Sequence, residues 1–202
     1  MEAKYRMKMS MTTVPSTWRG YESTCTTGDF RNLGRRGFKR HCGPTAAANI
    51  VLAFTRRYCP AMKLDENETF LTCAKVGQRS LLYGNADILG HFGGTSDLLA
   101  PLYLSLCFQK CRCPAKVANW QLLTEHNVRK ALGRGSLLYV EIRHHPRYHD
   151  HHFVCYGAQE VREPDGRQVA FFLMCADGWD HGLTPIALNS IKWGTFYEIV
   201  KT

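Results

Sequence analysis

The chain has 202 residues, 45% of them hydrophobic and 11% aromatic, which is the size and composition of one globular domain, residues 1–202. Its apolar runs are far shorter than the ~20 residues that cross a bilayer, and no apolar segment follows the charged N-terminus. We therefore predict neither a membrane span nor a secretory signal, and expect a cytoplasmic protein. The formal net charge of +9 favours acidic partners but identifies none.

Helices are predicted mainly in the first half of the chain, after an irregular segment over residues 1–30. Gly43 and Pro44 mark one helix start, because a proline in the first turn gives up an N–H that has no partner there. Thr124 is typical of a helix cap, and so is the Thr-Ser-Asp sequence at residues 95–97. Apolar residues at helical spacing then predict four helices: residues 43–59, 68–76, from 95–97 through 106, and 125–132.

Strands are predicted mainly in the second half of the chain. Four short runs are rich in β-branched and aromatic residues: residues 136–142, 152–161, 169–176 and 194–200. Pro164, Asp165 and Gly166 supply a turn between the second and third runs. Helices followed by strands, rather than an alternation of the two, predict an α+β fold with an antiparallel sheet.

Cys42 is the strongest candidate for a reactive side chain. It stands directly before the predicted helix start at Gly43, where unpaired backbone N–H groups and the helix dipole favour a thiolate. The basic residues at 31–40 add positive charge nearby, although a solvated loop would explain the same residues. A thiolate at neutral pH can attack a carbonyl carbon. A cysteine at this position can also be purely structural, so the remaining members of a site are needed.

A base and an acid can be assigned in the predicted strands. Residues 151–157, HHFVCYG, place histidine at the start of an apolar strand, and strand alternation puts His151 and His152 on opposite faces. We assign the base to His152, which belongs to the regular strand, whereas His151 ends a polar loop. Asp177 follows the strand over residues 169–176 and could hold the imidazole in the tautomer that catalysis needs. By itself Asp177 would also fit a turn.

Three motifs together resemble the C39-like branch of the papain-like cysteine peptidases: CGPTAAAN at residues 42–49, HFV at residues 152–154 and ADGW at residues 176–179. The resemblance covers residues 30–200. It implies a papain-like fold, in which an N-terminal helical lobe carries the cysteine and packs on an antiparallel sheet that carries the histidine and the acid. It also implies a cysteine peptidase that cleaves peptide or amide bonds through an acyl-enzyme, without a cofactor. The implied catalytic residues are Cys42, His152 and Asp177.

The chain departs from the family pattern at the oxyanion hole. Family members commonly carry a glutamine a few residues before the nucleophile, and the equivalent residue here is Arg36. The backbone N–H of Cys42, together with the side chain of Asn32, could stabilise the oxyanion instead. Trp179, which follows Asp177 by two positions, could shield the hydrogen bond of the acid from water.

Other functions are compatible with the same residues. Release of the acyl-enzyme by an amine instead of water would make the protein an acyltransferase on the same triad. A degenerate papain-like fold could instead be a non-catalytic basic module that binds an acidic protein or, less readily, a nucleic acid, with residues 31–40 as its surface.

Metal binding is an alternative at two places, although we expect no metal. The histidines and the aspartate within residues 144–152 are dense enough for a metal site, but a solvated loop explains them equally well. Cys107, Cys111 and Cys113 lack a fourth ligand for a structural zinc. The nine cysteines are an odd number without the spacing of a disulfide framework, so we expect most of them to be reduced.

Overall fold

The computed structural model of the chain describes residues 9–34, 37–88 and 92–202. The helices in this part are α1 (Thr27–Phe30), α2 (Cys42–Tyr58), α3 (Glu66–Arg79), α4 (Ala100–Lys110) and α5 (Glu125–Gly133), with a short 3-10 helix at Leu188–Ser190. The strands are β1 (Ser10–Val14), β2 (Tyr83–Ile88), β3 (Phe92–Thr95), β4 (Ala115–Leu122), β5 (Leu137–His145), β6 (His149–Arg162), β7 (Gln168–Ala176), β8 (Thr184–Ala187) and β9 (Trp193–Lys201).

Seven of the strands form one antiparallel sheet. Its order is β4-β9-β5-β6-β7-β8, and β1 pairs with the second half of β6, while β2 and β3 form a separate hairpin. The long strand β6 is central, because β5 pairs with its first half, from His149 to Cys155, and β7 pairs with it from Val154 to Arg162. The predicted mixed fold with an antiparallel sheet is therefore confirmed.

The two faces of the sheet are covered by different helices. Tyr139 and Val154 face the core that contains α2 and α4, whereas Leu138 and Phe153 face the core that contains α5. Because successive residues of a strand point to opposite faces, this alternation also assigns Glu141 and His152 to the face of Tyr139 and Val154. We call the two faces the α2 side and the α5 side of the sheet.

Helix α2 is the most deeply buried helix and carries Cys42 at its first position. Every residue from Gly43 to Thr55 is buried, and the alanines at positions 46–48 allow the helix to pack closely. Its first turn is closed by a hydrogen bond from the Thr45 N–H to the His41 carbonyl, 2.9 Å long. The helix packs on β6, which brings its N-terminus to the first half of that strand.

Several predicted elements begin or end differently from the expectation. The residues at 95–97 do not cap α4, which starts at Ala100 after an N-cap at Leu99 that has no side-chain hydrogen bond. Thr95 ends β3, and the carboxylate of Asp97 points away to other partners. Thr124 does cap α5, as predicted.

Five of the described strands, β1, β2, β3, β4 and β8, and one α-helix, α1, were not predicted. Part of the N-terminal segment expected to be irregular forms β1 and α1, and residues 1–8 of it lie outside the described residues. Strand β4 escaped prediction because seven of its eight residues are at least partly exposed, in an irregular pattern. Glycines weaken the strand pattern in the hairpin, since β2 contains Gly84 and β3 contains Gly93 and Gly94. Among the helices of the described residues, none combines the length and apolar character needed to cross a bilayer.

Candidate functional site

Cys42 lies at the point where α2 meets the main chain of β6. It is part-buried and directly follows the N-cap His41. Burial raises the pKa of the Cys42 thiol above its ordinary value, and the backbone N–H groups of His152, Gly43 and Cys42 itself act in the opposite direction. The sulfur is therefore close to backbone donors of both α2 and β6.

The ring of His152 is buried on the α2 side of the sheet and is held at both nitrogens. Nε2 lies 3.2 Å from Oδ1 of Asp97. Nδ1 lies 3.0 Å from the hydroxyl of Tyr139, a residue of β5. Because a carboxylate can only accept a hydrogen bond, Nε2 carries a proton, and in the neutral ring the Tyr139 hydroxyl donates to Nδ1. This arrangement selects the tautomer whose Nδ1 has a free electron pair.

Asp97, which comes from the segment between β3 and α4, links His152 to a cation. The guanidinium of Arg143 donates to Oδ2 of Asp97, with Nε at 2.9 Å, and packs over the ring of Trp193 at 4.8 Å. Burial would raise the pKa of Asp97, but the hydrogen bonds and charges of His152 and Arg143 outweigh it and keep the pKa below its ordinary value. Asp97 is therefore ionised and able to orient the His152 ring.

Glu141 is a buried carboxyl group directly opposite His152. The two residues are register partners on β5 and β6, and Oε1 of Glu141 lies 3.9 Å from Nδ1 of His152. Oε2 accepts a hydrogen bond of 3.3 Å from the Thr195 hydroxyl, whereas Oε1 is buried and has no hydrogen-bond partner. Burial raises the pKa of Glu141 to about 7, and the charge of His152 opposes this shift.

Asp177 lies on the other face of the sheet from His152. Its carboxylate accepts a hydrogen bond of 2.8 Å from the Tyr148 hydroxyl, and Tyr148 packs in the core on the α5 side. The backbone N–H groups of Trp179 and Asp180 donate to its other oxygen. Both Asp177 and His152 belong to the described residues, and no hydrogen bond or ion pair joins the Asp177 carboxylate to the His152 ring. The structure therefore does not bring Asp177 to the predicted base.

His151 shares the α5 side with Asp177, as the alternation of β6 predicts. Its Nε2 donates to the carbonyl of Asp177 at 2.6 Å, and its ring stacks on Tyr148. Trp179 packs edge-on against Tyr148 and His151 and remains 44% exposed. The Trp179 ring therefore covers this second cluster and not the hydrogen bond between His152 and Asp97.

The expected oxyanion donors are only partly located. The backbone N–H of Cys42 belongs to the first turn of α2, where helix N–H groups lack helical partners. Asn32 is exposed in the turn after α1 and makes no described contact with Cys42, and Arg36 lies outside the described residues. Thr95 is much closer to the cysteine, since a Cβ atom added to Gly43 would lie 2.0 Å from its hydroxyl. That hydroxyl is buried without a hydrogen-bond partner.

No family model, curated protein or solved structure matches this chain. The resemblance to C39-like peptidases therefore stays an expectation from three sequence motifs.

Sequence reasoning missed Asp97, Glu141 and Tyr139 as members of the site. Glu141 had a usable signal, because it is a charged residue inside the apolar run LLYVEI of a strand buried on both faces. Tyr139 shares the period of two with Glu141 and so shares its face. Asp97 had no such signal, since its contact with His152 depends on how a loop is placed.

The two predicted alternatives for a metal site are not assembled. Within the described part of the chain, three ligand atoms within 4.8 Å of one another occur only at Asp97, Glu141 and His152. The histidines of residues 144–152 point in different directions; for example, His145 contacts the Ser190 hydroxyl at 3.1 Å. All nine cysteines are free thiols, in agreement with the expectation that most are reduced.

Proposed function

We propose that the chain is a thiol-dependent hydrolase of the papain-like, C39-like kind, with Cys42 as nucleophile and His152 as base. The observation that carries the proposal is the position of the Cys42 sulfur, which lies beside the first turn of α2 and the backbone N–H of His152. Two residues far apart in the sequence thus meet at one helix N-terminus. The helical part of the chain packed on the antiparallel sheet is the arrangement that a papain-like fold requires.

The resting thiol is protonated, so the reaction needs a base. Burial raises the pKa of Cys42 above its ordinary value, which disfavours a permanent thiolate–imidazolium pair. We therefore infer general-base catalysis, in which the proton leaves as the sulfur attacks. The nearby N–H groups stabilise the negative charge that develops on the sulfur.

Asp97, rather than Asp177, is the residue that orients the base in this proposal. Its carboxylate holds the Nε2–H of His152 and leaves Nδ1 as the atom that accepts the thiol proton. The Tyr139 hydroxyl occupies Nδ1 in the resting state and must give up that hydrogen bond first. Arg143 fixes the other oxygen of Asp97, which makes Asp97 a positioning residue with a defined geometry.

The proposed reaction has two steps. The Cys42 proton moves to Nδ1 of His152, the sulfur bonds to the carbonyl carbon of an amide, and the carbonyl oxygen takes the negative charge. The tetrahedral intermediate then breaks its carbon–nitrogen bond, and the leaving amine takes the proton from His152. In the second step water gives a proton to His152 as its oxygen bonds to the thioester carbon. The carbon–sulfur bond then breaks, the acid is released, and the proton passes from His152 to the sulfur. An amine in place of water would give acyl transfer.

The oxyanion is stabilised by the Cys42 N–H and, we infer, by the hydroxyl of Thr95. A buried hydroxyl without a partner can donate to an oxygen that enters the site, and that of Thr95 lies against Gly43. Asn32 has no comparable position. This donor replaces the glutamine that the family pattern places before the nucleophile.

The substrate is expected to be a peptide or protein with acidic character. Arg31, Lys39 and Arg40 are exposed in the segment that leads to Cys42, and the whole chain carries a charge of +9. A positive surface of this kind raises the encounter rate with acidic partners.

The proposal is tested by the alkylation rate of each cysteine with iodoacetamide near neutral pH, followed by mass spectrometry. Cys59 is the internal control, because it is part-buried like Cys42. We expect Cys42 to react at least ~10-fold faster than Cys59, and the advantage to disappear in His152→Gln. Equal rates at the two cysteines would contradict a catalytic thiol and favour the non-catalytic basic module.

A further inference from the structure

We propose that Asp97, Glu141 and His152 form a binding site for a divalent transition-metal ion. One ligand atom from each residue lies within 4.8 Å of the other two. The site goes beyond the proposed hydrolase, because metal binding requires neither Cys42 nor a reaction. It also revises our expectation from the sequence that the chain binds no metal.

A buried acceptor without a partner points to a missing ligand. Glu141 is only 3% exposed, and its Oε1 is the atom that faces His152 at 3.9 Å from Nδ1. This oxygen has no hydrogen-bond donor, although buried carboxylate oxygens are normally satisfied. A bound cation would supply the missing interaction.

Both carboxylates direct one oxygen at the His152 ring: Oδ1 of Asp97 faces Nε2, and Oε1 of Glu141 lies near Nδ1. Both hydrogen bonds from Arg143 go to Oδ2 of Asp97, which leaves Oδ1 to face His152 at 3.2 Å. Two ligands on one ion at bond lengths of ~2.0–2.2 Å are at most ~4.4 Å apart. The three ligand atoms lie within 4.8 Å of one another, so a bound ion requires the carboxylate oxygens to close on one ring nitrogen, and the part-exposed Asp97 can supply part of this movement.

The surrounding residues support metal ligation. The Tyr139 hydroxyl contacts His152, and the Thr195 hydroxyl contacts Glu141. Residues around a metal site commonly orient its ligands through hydrogen bonds of this kind. One imidazole and two carboxylates form a nitrogen–oxygen ligand set without sulfur, which suits ions such as Mn²⁺. Three protein ligands leave further positions for water.

Metal binding would have a consequence for the hydrolase. An ion that uses a ring nitrogen of His152 competes with the role of that ring as a base, so bound metal would inhibit the enzyme. This consequence rests on the proposed function, whereas the binding itself does not.

The test is a titration of the reduced protein with Mn²⁺, monitored by loss of the electron paramagnetic resonance signal of the free ion. We expect one ion per chain with a Kd below about 1 mM, and at least ~10-fold weaker binding in Glu141→Gln and in Asp97→Asn. Asp150→Asn is the matched control, because it removes a carboxylate beside the exposed His144 without a third ligand nearby. Its affinity should equal that of the wild type.

Two results would overturn the metal site: no binding by the wild type below about 1 mM, or equal affinity in Glu141→Gln and the wild type. Near-UV circular dichroism identifies a variant that fails to fold, and Asp97→Asn then gives the answer, because Asp97 is part-exposed in a loop. Failure of metal binding leaves the alkylation result at Cys42 unaffected, so the two proposals can fail separately.

Discussion

Asp97 and His152 are joined by a contact of 3.2 Å between Oδ1 and Nε2, on the face of the sheet that α2 covers. The acid that follows β7, Asp177, bonds to Tyr148 on the opposite face. The histidine next to the proposed nucleophile is thus oriented by a loop residue that precedes α4.

Asp97→Asn is expected to remove most of the alkylation advantage of Cys42 and to lower the rate of hydrolysis by ~10²-fold or more. The reason is that an amide no longer fixes the tautomer of His152. Asp177→Asn should leave the Cys42 alkylation rate within about twofold of the wild type and mainly lower stability, by about 1–3 kcal/mol, since it disturbs a buried hydrogen-bond network. Cysteine mapping and urea unfolding measure the two effects. A larger loss of reactivity in Asp177→Asn than in Asp97→Asn would restore Asp177 as the orienting acid.

Thr95→Val is expected to lower kcat for hydrolysis of an activated ester such as p-nitrophenyl acetate by ~10²–10³-fold, because it removes one oxyanion donor. The KM should change little. Thr55→Val is a matched control, since Thr55 also has a buried hydroxyl without a hydrogen-bond partner but lies at the other end of α2. Equal kcat values for the two variants would exclude Thr95 from the oxyanion hole.

Acid should destabilise the protein through two buried histidines. Burial lowers the pKa of His41 and of His151 to about 4 in the folded state, against ~6.5 in the unfolded chain. Between these values the unfolded chain binds protons that the folded chain does not, so the free energy of unfolding falls as the pH is lowered from ~6.5 to ~4. Each histidine contributes at most roughly 3 kcal/mol to this fall.

Urea unfolding across this pH range measures the effect of the histidines. His151→Gln keeps a donor for the Asp177 carbonyl but cannot be protonated, so its stability should depend less steeply on pH than that of the wild type. His144→Gln is the control, because His144 is largely exposed and its substitution should leave the slope unchanged. The same slope in all three proteins would show that His151 is protonated without cost.

Arg134→Met should lower the free energy of unfolding by about 2 kcal/mol, because it leaves the buried carboxylate of Glu198 without its cation. Ser136, Asn119 and Gln121 donate to the same carboxylate and limit the loss. Arg167→Met removes an exposed partner of Glu163 and should cost less than about 1 kcal/mol. Chemical denaturation compares the variants, and equal losses would mean that the buried pair adds nothing beyond a surface pair.

The sequence by itself determined the elements that depend on local patterns. The spacing of apolar residues, with Pro44 and Thr124 at the helix starts, predicted α2 and α5, and the period of two in β6 correctly placed His151 and His152 on opposite faces. Cys42 could be located at a helix start for the same reason. These signals lie within a few residues of one another along the chain, so the local sequence is sufficient to specify them.

Only the tertiary structure decided which groups meet His152. Asp97 reaches the ring through the placement of the segment between β3 and α4, which no periodicity records. Asp177 is separated from it by the pairing of β6 with β7, in which Ala176 stands opposite Val154, so the next residue, Asp177, lies toward the face of Phe153 and not that of His152. Which residues stand opposite each other depends on the register, and the register is fixed by contacts between strands rather than by the residues of either strand alone.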